Sequence, residues 1–93
     1  MMWAAIEVWR DLFDRRHPPY VLLKKAAAAF DSGDLSLALT KFKRAAEISA
    51  RYHDLAALGA AWHGIARARE ALGDNDGSEA AIATARDADR QLN

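Results

Sequence analysis

Leu22-Leu23-Lys24-Lys25-Ala26-Ala27-Ala28-Ala29-Phe30-Asp31-Ser32-Gly33-Asp34 has a counterpart forty residues later in Trp62-His63-Gly64-Ile65-Ala66-Arg67-Ala68-Arg69-Glu70-Ala71-Leu72-Gly73-Asp74. Both stretches close on Gly-Asp. Leu22 stands where Trp62 stands, and Ala26 where Ala66 stands. Beyond the Gly-Asp pair, Ala38 matches Ser78, Phe42 matches Ile82 and Ala45 matches Ala85. Small residues fall on small ones and bulky on bulky. A fixed period between about 20 and 50 residues is the signature of a stacked helical repeat.

Helical spacing makes physical sense of the matches. Ala38, Phe42, Ala45 and Ala46 share one face of a helix, and Trp62, Ile65 and Ala66 share another. Small residues let two antiparallel helices approach, and Phe42 or Trp62 fills the space beside the contact. Gly33 and Gly73 suit the left-handed position that ends a helix. Asp34 then falls where it caps the next helix, and in the second copy Asp76 and Glu79 have the spacing of an N-cap and its reciprocal partner. Five helices are predicted, over about 2–16, 20–31, 35–52, 54–72 and 76–92. His17-Pro18-Pro19 separates the first two, since a residue before proline avoids the helical region and Pro19 can open the next helix.

Composition agrees. The 93 residues allow one domain, and 22 of them are alanine, the best helix former. Val8 and Val21 are the only valines, so the β-branched runs that strands favour are absent. Thirteen basic and thirteen acidic side chains cancel, which disfavours broad nucleic-acid binding. The chain has no cysteine, so disulfides, thiolate zinc sites and thiol catalysis are excluded. Glu7, Arg10 and Asp11 interrupt the apolar N-terminal stretch, which argues against a signal peptide or a membrane span and for a soluble cytoplasmic protein.

With these positions in hand, residues from near Pro19 onward resemble tetratricopeptide repeats. The second copy carries the first half of that pattern in Trp62, Ile65 and Ala66, and the first copy carries the second half in Ala38, Phe42 and Ala45. The resemblance implies an all-α fold, a right-handed stack of two antiparallel helix pairs preceded by an N-terminal amphipathic helix. The expected organisation is a single domain over 1–93, with an N-terminal helix over 1–17, a first repeat over 19–58 and a second over 59–93. Lys25, Ala29 and Arg69 depart from the pattern, and Ala50 replaces the closing proline. Without that stop the helix is expected to run to about Tyr52, lengthening the usual 34-residue period to 40.

In such repeats the first helix of each pair lines a concave groove. The matching residues here are Tyr20, Leu23, Ala27 and Phe30 on one helix and His63, Arg67 and Glu70 on the other. An apolar set beside a polar one implies an amphipathic helix or extended segment of another protein, with an acidic group for Arg67. The bland readings stay open: the apolar set receives the protein's own first helix, and His63 with Arg67 forms a solvated face.

Two repeats are few for a stack, so its ends need covering. On the first helix Trp3, Ile6, Trp9, Leu12 and Phe13 make a broad apolar side opposite Glu7, Arg10, Asp11 and Asp14. That helix is either a cap on the first pair or, through Trp3, Ile6, Trp9 and Phe13, a docking face for a partner or a second copy in a homo-oligomer. The last helix has only Ile82 and Leu92 as bulky apolar residues and is expected to be the least firmly held.

Other constellations are weak. His17, His53 and His63 include no i,i+4 pair, so no metal site is expected. Asp74-Asn75-Asp76-Gly77 has its glycine too early for a calcium loop and reads as a turn. Arg15-Arg16-His17 with Lys24-Lys25 reads as a solvated helix junction rather than an RNA site. No nucleophile with its base, phosphate loop or carboxylate pair is visible. The expectation is a non-enzyme without cofactors, holding another protein and engaging neither nucleic acid nor membrane.

Overall fold

A computed structural model describes residues 18–92. The expected helix over 2–16, with Trp3, Ile6, Trp9 and Phe13, lies outside the described residues. Four helices follow in order: α1 (Pro18–Asp31), α2 (Leu35–Arg51), α3 (Leu55–Ala71) and α4 (Asn75–Leu92). The fold is all-α, and each helix packs antiparallel against the next, with α1 also touching α3. Among the described residues no strand occurs, and no helix is long and apolar enough to cross a membrane.

The three turns between helices have one design. In each, a residue with positive φ ends the helix, Gly33 at 87°, His53 at 55° and Gly73 at 89°. The next residue is always aspartate. Its N–H closes the preceding helix by bonding to a carbonyl five residues back: Asp34 to Ala29 at 2.9 Å, Asp54 to Ser49 at 2.9 Å, Asp74 to Arg69 at 2.8 Å. Its side chain opens the following helix by accepting from the N–H three residues on: Leu37 at 3.2 Å, Ala57 at 3.1 Å, Gly77 at 2.9 Å. One residue thus satisfies orphan groups of two helices. Asp74 takes this role in the last turn, which corrects the expectation that Asp76 and Glu79 form the cap. Asp76 lies inside the first turn of α4, where its charge still complements the helix dipole.

The turns recur every twenty residues, half the expected period. His53-Asp54 is the middle member, a break expected between the helices over 35–52 and 54–72 but not recognised as one of the series because it lacks glycine. The boundary drawn between 58 and 59 falls one turn inside α3, and the helix pairs meet at His53-Asp54 instead. A left-handed conformation is costly for a residue with a Cβ. His53→Gly is therefore expected to raise stability by about 1 kcal/mol. Urea unfolding of the two chains measures it, and an unchanged midpoint would show that His53 is not strained.

Burial follows the forty-residue matches. Ala26 and Ala66 are buried, as are Ala38 and Ser78, Phe42, and Ala45 and Ala85, while Leu22, Trp62 and Ile82 pack half-buried against the core. Ser49, fully buried, donates to the Ala45 carbonyl at 2.7 Å. Helix α2 ends at Arg51 with Tyr52 as its cap, the extension expected where Ala50 replaces proline. The glycines of α3 set its spacing to both neighbours. A Cβ on Gly64 would overlap the Phe42 ring, and one on Gly59 would lie 2.6 Å from Asp89 Oδ1. The buried side of α4 is Ser78, Ala81, Ala85 and Ala88, and Leu92 remains 53% exposed. This helix is held by close approach more than by buried area.

Candidate functional site

Helices α1 and α3 run side by side and carry the residues expected to line a groove. Of the seven, the structure brings three together. The guanidinium of Arg67 on α3 lies over the ring of Phe30 on α1, 4.9 Å from its centroid. Ala27, Asp31, Phe42 and Gly64 complete a small cavity of about 40 Å³ beneath them. Gly64 makes this possible: without a side chain there, the Phe42 ring reaches the floor of the cavity. A cation stacked on an aromatic face contributes about 0.5–1 kcal/mol at an exposed site. Arg67 is exposed, and among the described residues no carboxylate pairs with it.

The other four are placed differently. Leu23 is half-buried against the core, and Tyr20 is 51% exposed on the same side of α1. His63 turns toward the last helix, with its Nε2 3.3 Å from Asp89 Oδ2 on α4. Both partners are half-exposed, so water competes for this contact and it adds little to stability. Glu70 sits at the far edge, in a depression of about 300 Å³ shared with Asn75, Ser78, Glu79 and Ile82. The groove residues therefore divide into an Arg67–Phe30 centre, an apolar α1 margin and a polar margin tied to α4.

A second concavity was not expected from the sequence. Between α2 and α3, away from α1, an open apolar groove of about 300 Å³ is lined by Ala46 and Ala50 on one side and Leu58, Trp62 and Ile65 on the other. Lys43, Glu47 and Arg69 stand along it. Arg69, a departure from the repeat pattern, donates through Nη1 to the Gly77 carbonyl at 3.2 Å and so ties α3 to the start of α4. The available signal was the spacing of Leu58, Trp62, Ile65 and Arg69, a second stripe on a helix that already has one buried face.

Among the described residues no three metal-ligating side chains cluster. No protein-family model, curated protein or solved structure matches the chain.

Proposed function

We propose that this chain is a protein-interaction module, a small cytoplasmic adaptor or accessory subunit that holds a segment of another protein rather than catalysing a reaction. The Arg67–Phe30 pair carries the reading. A guanidinium fixed by stacking loses little freedom when it binds a carboxylate, and its five donors match that planar acceptor. The apolar margin of Leu23 and Tyr20 lies on the same helix as Phe30. A helical or extended segment with one acidic residue beside a bulky apolar one fits this combination. The resemblance to tetratricopeptide repeats supports the same side of the molecule.

Display of random peptides against the intact chain tests the proposal. Selected peptides are expected to pair an acidic with a bulky apolar residue and to lose about tenfold or more in affinity for Arg67→Glu, as when a charge-assisted bond is lost at an interface. Circular dichroism of the variant should be unchanged, because Arg67 is exposed. Selected peptides that bind Arg67→Glu equally well, or no enrichment at all, would remove this site from consideration.

A further inference from the structure

The cavity beneath Arg67 and Phe30 carries charges of both signs. Arg67 stands on its α3 side, and Asp31, the last residue of α1, stands on the other. Both side chains belong to exposed residues. The rest of the lining is apolar, built from Phe30, Phe42, Ala27 and Gly64. Its volume of about 40 Å³ gives room for about three water-sized groups at roughly 10–15 Å³ each. A side chain no larger than valine fits that space, and an aromatic ring does not.

The two charges sit at different levels of the groove. Asp31 lies four residues beyond Ala27, the position that Arg67 matches in the forty-residue register, or about 6 Å along the helix at 1.5 Å per residue. Helices α1 and α3 are each antiparallel to α2 and so run in one direction, which puts Asp31 on the side of the Gly33 and Gly73 turns. Glu70 lies on that side too, three residues beyond Arg67 on α3. Arg67 is engaged by the Phe30 ring, and among the described residues neither Asp31 nor Glu70 is ion-paired. A carboxylate drawn to Arg67 therefore meets repulsion from Asp31 unless a positive group accompanies it.

Resting on the reading of Arg67 and Phe30 as a partner site, we infer that Asp31 is a specificity-determining residue of that site. The bound segment carries a Lys or Arg close to its acid, with a residue no larger than valine beside them in the cavity. Arg67 takes the acid and Asp31 takes the base. The spacing is three or four residues in a helical segment, or two in an extended one. Because the charges lie at different levels, they also fix the direction of the segment, its base toward the Gly33 turn.

The peptides selected by display against the full chain supply the test. Those that depend on Arg67 are expected to carry Lys or Arg at one of these spacings from the acid. Replacing that base by Glu should weaken binding by about threefold to tenfold, as when an exposed pair turns from attraction to repulsion. Asp31→Lys should reverse the preference, so that the Glu peptide binds more tightly than the original. A lysine in the last turn complements the helix dipole, and circular dichroism of this variant should be unchanged. Peptides that need Arg67 but carry no such base overturn the inference and leave the site itself standing. So does a preference for the base that survives Asp31→Lys. Peptides indifferent to Arg67→Glu, or no enrichment at all, overturn both.

Discussion

Replacing Phe42 by alanine is expected to remove about 3–5 kcal/mol of stability, the usual cost of deleting a buried aromatic ring. The core gives the reason. Among the described residues the buried apolar side chains are mostly alanines, with Phe42, Ile65 and Pro19 the larger ones. Phe42 is 8% exposed and belongs to the one cluster that joins all four helices, with Ala26 on α1, Ile65 on α3 and Ala81 on α4. Alanines close to one another have no atoms with which to fill the space the ring leaves, so the site would collapse poorly. A chain of this length holds about 5–14 kcal/mol in all, so the variant is expected to melt at least about 12 °C lower. Urea unfolding followed by circular dichroism measures the loss. A difference below about 1 kcal/mol would mean that the ring is not the central filler that its burial indicates.

Gly64→Ala is expected to cost about 1–3 kcal/mol although alanine is the better helix former by about 1 kcal/mol. The added Cβ would occupy space held by the Phe42 ring itself, in contact with three of its carbons. The ring is enclosed and cannot swing aside as the end of an exposed side chain can, so α2 and α3 must separate. This cause has a specific signature. In a Phe42→Leu background the overlap is relieved, and Gly64→Ala should become neutral or stabilising through helix propensity. The double-mutant cycle is expected to give a coupling of about 1–3 kcal/mol. Additive effects would show that the glycine serves some purpose other than the approach of Phe42. Loss of this approach also disturbs the floor beneath Arg67 and Phe30, so the same variant should weaken any ligand of that pair.

Several parts of the fold were legible residue by residue. Alternating bulky and small positions forty residues apart marked Ala26, Ala38, Ala45, Ala66 and Ala85 as core, and all are buried. Gly33 and Gly73 announced two turns because only glycine adopts positive φ freely. The break at His53 was expected, between helices over 35–52 and 54–72, but its kinship with the two glycine turns was not, since the chain places a histidine where the signal residue is missing. With it went the twenty-residue step, although Leu22, Phe42, Trp62 and Ile82 recur at that interval. The cap of α4 was misplaced for a related reason. Asp74 and Asp76 are both good N-cap residues, and local propensity does not choose between them. The shared backbone closure Asp74 N–H to Arg69 carbonyl does.

The candidate site was legible as a set of positions but not as an arrangement. Periodicity placed Tyr20, Leu23, Ala27 and Phe30 on one helix face and His63, Arg67 and Glu70 on another. Which of them meet depends on how closely and at what rotation α1 and α3 pack, and side-chain spacing within a helix carries no information on that. The approach set by Gly64 and Phe42 brings Arg67 to Phe30, leaves His63 to Asp89 and sends Glu70 to the edge.

By itself the sequence determined the helices, their order, the antiparallel pairing forced by three-residue turns, and the alanine-rich faces that pack. These are local properties: propensity, periodicity and capping act over a few residues. Among the described residues the tertiary structure decided which contacts form between helices and where apolar surface stays uncovered. Arg44 and Arg90 pair with carboxylates three residues away on their own helices, whereas Arg67, with Glu70 at the same spacing, stacks on Phe30 of α1. That outcome depends on how closely α1 and α3 pack, a matter of distances between elements that no single helix encodes.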